Sequence, residues 1–205
     1  MKAKCINVPY INQAVEWPTG CESVSTVMLL QYLGLNIDVD TWIGYLPKVP
    51  LKSFGDTMIG GDPNKHFIGS PYDADSFGCY APVIADTLNR LFESKQTVLR
   101  AVDVTDVSTE ELIETYINND MPVIYWATID LKPSYKGPYW LLYDTGRMFE
   151  WTSNEHCMLL TGYDENHLIF NDPWNNHGVI AYDRALVEMR HKEMFSMAVA
   201  VERMS

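Results

Sequence analysis

The chain has 205 residues, of which 47% are hydrophobic and 12% aromatic, so the sequence predicts a single folded domain over residues 1–205. Its 27 Asp and Glu against 15 Lys and Arg give a net charge of −12. A chain this acidic repels phosphate backbones, which argues against nucleic acid as a partner. Every apolar run is shorter than the roughly 18 residues that a membrane helix needs, so no membrane span is predicted.

The first ten residues have a basic start but lack the apolar run of a signal peptide. The chain as given is therefore expected in the cytoplasm, whereas earlier removal of an export signal would place it in the cell envelope or outside the cell. Its four cysteines, Cys5, Cys21, Cys79 and Cys157, form no Cys-x-x-Cys pair. Free and mostly buried thiols are expected, without a structural zinc ion or any cofactor.

Element signals run along the chain from helices to strands. Thr19 and Glu22 match a capping box, which predicts a helix from Thr19 to about Leu33. The elements predicted next are a short helix from Asp38 or Asp40 to before Pro47, a helix over 81–92, a strand over 97–104, a helix opened by Ser108 and a strand over 122–129. The last elements predicted are strands over 156–163, 167–171 and 178–182, a helix capped by Asp183 and a strand over 195–201.

Gly and Pro cluster at 44–78 and at 132–146, which predicts two long loops inside the domain. Helices followed by an antiparallel sheet give an α+β order.

Cys21 is the candidate nucleophile. It would lie in the first turn of the predicted helix, where free N–H groups and the helix dipole favour a thiolate of lowered pKa. Gly20 before it would leave room for a substrate carbonyl. The other three cysteines occur in strand or loop contexts, where a small buried apolar role is the ordinary interpretation.

His156 is the candidate base among five histidines, the others being His66, His167, His177 and His191. It opens an apolar strand whose hairpin partner ends at Asp172. A turn symmetric about Glu165 places His156 diagonal to Asp172, whose carboxylate would orient the imidazole. His66 and His177 fall in loops, and His191 follows a surface-like helix.

Gln13 stands eight residues before Cys21, where its side-chain amide could fold over the helix start and donate a hydrogen bond beside the Cys21 N–H. An unremarkable polar loop residue is the alternative interpretation of Gln13.

These motifs, in this order, resemble the bacteriocin-processing (double-glycine leader) peptidases and their stand-alone relatives. The segments that carry the resemblance are Val8–Gln13, Thr19–Glu22, His156 with the strand to Asp164, Asn171–Trp174 and the loop Asp62–Gly69. The resemblance implies a papain-like fold, a triad of Cys21, His156 and Asp172, and Gln13 in the oxyanion hole. It also implies a peptide or protein substrate.

One departure separates this chain from the transporter-linked members, which usually carry Gly where it has Glu22. The sequence also contains no transmembrane or ATP-binding segment.

Three functions remain open from the sequence. The first is peptide-bond hydrolysis through a thioester, and the second is acyl transfer or amidase chemistry with the same residues. The third is a non-catalytic module that binds peptides through its aromatic loops. A metal site at His156 and Cys157 lacks a second ligand pair, and the absence of a Gly-x-Ser-x-Gly elbow disfavours a serine hydrolase.

The loop from Gly60 to Tyr80 is long and rich in aromatic residues. Such loops in folded domains are usually functional when they are not disordered. We expect it to form a wall or lid beside Cys21, with Phe67 or Tyr72 in contact with the substrate; plain surface packing is the alternative.

Overall fold

The computed structural model describes residues 3–14 and 16–204. Three of its helices begin where the sequence places a capping side chain, because Asp38, Ser108 and Asp183 each accept a backbone N–H of the following first turn. The helices are α1 (Cys21–Tyr32), α2 (Val39–Tyr45), α3 (Ala81–Ser94), α4 (Thr109–Thr115) and α5 (Arg184–Glu193).

The main sheet contains seven strands in the described residues, in the order β12-β11-β10-β7-β13-β6, with β1 also paired to β10. All of its pairings are antiparallel. The strands of the chain are β1 (Lys4–Cys5), β2 (Lys48–Val49), β3 (Lys52–Phe54), β4 (Thr57–Gly60), β5 (Phe67–Ile68), β6 (Leu99–Asp103), β7 (Val123–Thr128), β8 (Tyr135–Leu142), β9 (Met148–Ser153), β10 (Glu155–Tyr163), β11 (His167–Asp172), β12 (Gly178–Asp183) and β13 (Ala198–Arg203). The predicted α+β class is confirmed.

The two predicted loops are partly wrong. Residues 44–78 contain the short strands β2 to β5, and the segment at 132–146 contains the eight-residue strand β8. Strands β3, β4, β8 and β9 form a second sheet, in which β4 and β8 run parallel. Gly137 and Pro138 lie within β8, at the point where its pairing with β9 shifts register. These two residues, which suggested a loop, instead mark an irregularity in a strand.

Helix α1 is buried on all sides, since every residue from Cys21 to Leu30 is inaccessible. It packs mainly on the central strand β10. The Ser25 hydroxyl donates to the Cys157 carbonyl oxygen over 3.1 Å, which ties the helix to the strand. A helix without a solvent face cannot shift without exposing core, so α1 holds its first residue in a fixed position relative to β10.

The N-terminal segment is anchored to the end of β11. The buried Asn171 side chain donates to the carbonyl oxygens of Val8 and Pro9 at 3.2 and 3.3 Å. The backbone N–H of Gln13 donates to the Pro173 carbonyl oxygen at 3.1 Å. The segment that carries Gln13 is therefore held by the same stretch of chain that carries Asp172.

None of the helices in the described ranges combines the length and the apolar character that crossing a membrane requires.

We expect Asn171→Ala to lower the free energy of unfolding by about 1–3 kcal/mol, because two backbone carbonyl groups lose a buried donor. Urea unfolding followed by circular dichroism measures the change. Asn166→Ala, in the exposed turn between β10 and β11, is the matched control. Equal stability of the two variants would contradict the anchoring role.

Candidate active site

Cys21 is the first residue of α1, as predicted, but the predicted capping box is wrong. The N-cap residue is Gly20, and no side chain caps the helix. The Thr19 hydroxyl instead donates to the carbonyl oxygens of Ser70 and Asp73. Both members of the expected box thus turn toward the segment before α3, since Glu22 accepts the backbone N–H of Cys79 at 2.6 Å.

Gly20 is required by its neighbour Trp17. A Cβ atom at Gly20 would lie 2.7 Å from the Trp17 Cβ and 3.1 Å from the Trp17 carbonyl oxygen. Its own N–H donates to that carbonyl over 2.9 Å. This tight turn accounts for the glycine through the fold, whereas the sequence suggested only room for a substrate.

The Cys21 thiol is buried and donates to Glu22 Oε2 over 3.3 Å. Burial raises the pKa of Cys21 well above its usual value, and the nearby charges of Glu22 and Glu155 raise it further. The sequence predicted the opposite direction from the helix start. The effect of the helix dipole is outweighed here by burial of the sulfur and by the two acidic side chains beside it.

His156 contacts Asp172 as the sequence predicted. The imidazole Nε2 lies 2.7 Å from Asp172 Oδ1, and both side chains are almost fully buried. The register near the site pairs Leu159 with Asn171, which puts Met158 opposite Asp172 at the next step. Between this pair and the turn, a bulge between Leu160 and Gly162 shifts the pairing by one residue. The symmetric turn that the sequence suggested is therefore wrong, but the bulge lies beyond the site and leaves the contact of His156 with Asp172 in place.

Asp172 accepts hydrogen bonds from three further donors. The Tyr182 hydroxyl donates to Oδ2 at 2.7 Å, His177 Nδ1 lies 3.0 Å from the same oxygen, and the Trp174 backbone N–H donates to Oδ1 at 3.0 Å. Burial opposes ionisation of Asp172, but electrostatic attraction by the His156 imidazole and the hydrogen bonds of His156, Tyr182 and His177 hold its pKa well below the usual value. The carboxylate is thus fixed as an acceptor.

Gln13 is 2% exposed, and its Nε2 donates to the Pro18 carbonyl oxygen at 3.1 Å. That bond uses one of the two amide hydrogens, which leaves the second for a ligand. The side-chain oxygen is buried and has no partner in the described residues.

A cavity of about 190 Å³ joins these side chains. Its wall includes Cys21, Gln13 and His156, although these residues are far apart in sequence. The remaining lining residues are Pro18, Thr19, Ser76, Phe77, Ile129, Tyr135, Trp151, Asn154, Glu155 and Trp174. Asp172 stands behind His156 and does not line the cavity.

The loop from Gly60 to Tyr80 reaches the cavity through Ser76 and Phe77. Phe67 is fully buried in β5, and the Tyr72 hydroxyl donates to Asp40 at 2.9 Å. The expected wall beside Cys21 is therefore present, but the two aromatic residues expected to form it pack elsewhere.

The other histidines take separate roles. His66 contacts the Tyr143 hydroxyl, and His167 contacts Asp164 in the turn before β11. His191 lies within α5 rather than after it, and its buried ring stacks on Tyr125 with 3.8 Å between the ring centroids. Burial lowers the pKa of His191 to about 4, so it is neutral at physiological pH.

Sequence reasoning missed five side chains around the site: Glu22, Glu155, Trp174, His177 and Tyr182. The two glutamates had a signal, because each directly adjoins a candidate catalytic residue in the sequence. His177 and Tyr182 had none, since they reach Asp172 only through the pairing of β11 with β12.

The chain belongs to the Peptidase_C39 like family, whose model matches residues 5–199. Together with the fold, this membership defines the class as papain-like.

Two relatives illustrate the match. The uncharacterized protein YvpB of Bacillus subtilis strain 168 is 27% identical over 205 residues, which covers 98% of this chain and 77% of that protein. A crystallised protein from Bacillus anthracis, assigned as a C39-like peptidase, superposes with a TM-score of 0.86 at 27% identity over the full length of both chains.

We expect Asp172→Asn to lower the free energy of unfolding by roughly 2–3 kcal/mol at pH 7. The folded-state pKa of Asp172 lies below the unfolded value of about 3.9, so its stabilisation is complete above that value and is lost as the pH falls through the folded pKa. The gap between wild type and variant should therefore narrow below about pH 4.

Urea unfolding from pH 3 to pH 7 measures this gap, with Asp86→Asn on the exposed face of α3 as the control. A gap that stays constant over the whole range would show that the Asp172 carboxylate is not specially stabilised.

Proposed function

We propose that the protein is a cysteine peptidase in which Cys21 is the nucleophile, His156 the base, Asp172 the orienting group and Gln13 an oxyanion donor. The observation that carries this proposal is the single cavity onto which Cys21, His156 and Gln13 open, with Asp172 hydrogen-bonded to the far side of the imidazole. This is the nucleophile–base–orienter arrangement that thiol acyl chemistry uses.

One imidazole nitrogen of His156 remains for proton transfer. Asp172 engages Nε2, which leaves Nδ1 as the nitrogen to accept the Cys21 proton in the proposed reaction. The ring meets Trp174 edge-on, with 6.3 Å between centroids, and this contact restricts its rotation. The carboxylate of Asp172 is held by hydrogen bonds from Trp174, His177 and Tyr182. Its remaining hydrogen bond, to His156, then orients the imidazole.

Acylation of Cys21 is the first of the two chemical steps. The Sγ–H proton moves to His156 Nδ1, and the thiolate attacks the peptide carbonyl carbon. The resulting oxyanion accepts hydrogen bonds from backbone N–H groups at the start of α1 and from Gln13 Nε2. The C–N bond breaks, the leaving amine takes the proton from His156, and a thioester remains on Cys21.

Hydrolysis of the thioester completes the cycle. Water gives a proton to His156 Nδ1 and attacks the thioester carbonyl, which releases a carboxylic acid and restores the thiol. An amine in place of water would make the reaction an acyl transfer, so the products distinguish the two outcomes.

The expected result with a fluorescently labelled casein substrate is hydrolysis by wild type and none detectable for Cys21→Ala. An epoxysuccinyl peptide should alkylate Cys21 irreversibly, and His156→Ala should slow that alkylation because the thiol loses its base. Peptide mapping by mass spectrometry identifies the modified residue. Alkylation of Cys5, Cys79 or Cys157 in preference to Cys21 would contradict the assignment.

We expect Gln13→Ala to lower kcat about 10²–10³-fold, since one oxyanion donor is typically worth about 2.7–4 kcal/mol. Gln31→Ala is the matched control, because its side chain also donates to a backbone carbonyl, that of Ile37, but on the far end of α1. Both variants should keep the wild-type circular dichroism spectrum. Equal kcat values for the two variants would place the oxyanion donor elsewhere.

A further inference from the structure

Two glutamates lie beside Cys21 in the interior of the protein. Glu22 is 0% exposed and Glu155 is 8% exposed. One donor atom from each of Cys21, Glu22 and Glu155 can be chosen so that the three lie within 4.8 Å of one another. Glu155 Oε1 has no hydrogen-bond partner in the described residues.

The backbone makes room for this pair at Gly78. A Cβ atom there would overlap Glu22 Oε1 and lie 3.2 Å from Glu155 Oε2. The backbone N–H of the next residue, Cys79, donates to Glu22 Oε1 at 2.6 Å. The segment before α3 therefore closes tightly over both carboxyl groups.

The charges around the pair favour a shared proton. Neither glutamate forms an ion pair with any Lys or Arg of the described residues. The titratable groups that face it are Cys21 on α1, His156 and Cys157 on β10, and Cys79 and Tyr80 before α3. Two buried carboxylates without a cation between them cannot both stay ionised at moderate cost.

We propose that Glu22 and Glu155 share one proton, and that Glu22, as acceptor of the Cys21 thiol proton, holds the nucleophile in a protonated resting form. The role of Cys21 as nucleophile rests on the proposed function, whereas the shared proton does not.

The two glutamates differ in how readily each one loses its proton. Burial raises the pKa of Glu22 to about 7, and burial together with the charge of Glu22 raises that of Glu155 well above its usual value. Above about pH 7 Glu22 is therefore ionised and accepts the thiol hydrogen. Glu155 keeps its proton there, because its Oε1 lacks, among the described residues, the hydrogen-bond donors that Glu22 has in Cys21 and Cys79. When the pair loses its proton as the pH rises, a second negative charge faces the sulfur and opposes thiolate formation.

Glu22 thus competes with His156 for one proton. In the resting state the Cys21 hydrogen bond runs to Glu22, 3.3 Å away. Acylation requires that proton to go to His156 instead. Glu22 is a restraint on the nucleophile, set by the charge of its neighbour Glu155.

Iodoacetamide labelling of Cys21 tests the proposal, because alkylation needs a thiolate but no peptidase activity. All variants carry Cys5→Ser, which removes the exposed thiol, and labelling is read by mass spectrometry from pH 6 to pH 10. Glu22→Gln should label about tenfold faster at pH 8 and above, where Glu22 is ionised, which corresponds to a thiol pKa lower by about one unit. The difference should shrink toward pH 6, where wild-type Glu22 becomes protonated. The amide of the variant keeps an oxygen for the Cys79 N–H and offers an NH₂ group to the sulfur.

Glu155→Gln should behave differently. It replaces a protonated carboxyl group by a neutral one of equal size, so its labelling should match wild type near pH 6 and exceed it only at the alkaline end. Glu165→Gln, in the exposed turn after β10, is the matched control and should follow wild type throughout. Labelling of Glu22→Gln at the control rate would overturn the restraint.

Infrared spectroscopy of the wild type keeps the proposal testable if a variant fails to fold. At pH 8, where Glu22 is ionised, the carbonyl stretch of a protonated carboxyl group should be present in wild type and disappear in Glu155→Gln. Its absence from wild type, or a stoichiometric metal ion found by elemental analysis, would overturn the shared proton. If casein is not cleaved while the labelling differences appear, the proposed function fails and the proton pair stands.

Discussion

The buried carboxylate of Asp172 is the group on which the geometry of the site depends. It accepts from His156 on β10, from Tyr182 on β12, and from His177 and the Trp174 backbone on the turn between β11 and β12. A buried charge with this many donors tolerates little displacement, because losing any donor exposes it to the cost of an unsatisfied ion. The position of the imidazole follows from that of the carboxylate.

A second buried acidic group, the pair Glu22 and Glu155, has the opposite electrostatic character. Asp172 has donors on every side and stays ionised, whereas the glutamates lack a cation and retain a proton. His156 lies between these two environments, and a positive charge formed on its imidazole would favour ionisation of both Asp172 and Glu22. Under the proposed function, one of these acids supports the base His156 and the other restrains the nucleophile Cys21.

Much of this fold could be predicted from the sequence, because its helices and strands are encoded locally. Three helix starts are predictable from their capping side chains, those of Asp38, Ser108 and Asp183. The apolar runs of β7 and β10 indicate buried strands. The contact of His156 with Asp172 was predictable because a hairpin connects them. The bulge near Thr161 was not, since it depends on Gly162 packing against the backbone of Lys4 and Cys5.

The two sequence predictions that failed at the start of α1, the capping box and the thiolate, failed for the same physical reason. Thr19 and Glu22 match a capping box in sequence, but both side chains are claimed by the segment from Ser70 to Cys79. Sequence rules that consider only near neighbours cannot detect these partners, because they lie fifty residues or more along the chain. The thiolate expected at Cys21 was wrong for the same reason, since the charge of Glu155 acts on it from β10, more than a hundred residues away in sequence.

The order of strands in the main sheet also bears on how the chain is synthesised. Strand β13, the last of the sequence, lies between β7 and β6, and β10 pairs with β7 on the other side. Cys21 and Gln13 leave the ribosome more than a hundred residues ahead of His156 and Asp172. Among the described strands, β13 alone joins β6 to β7, so that part of the main sheet forms only after β13 has been made. A nascent chain therefore contains the Cys21 thiol well before the His156 imidazole exists.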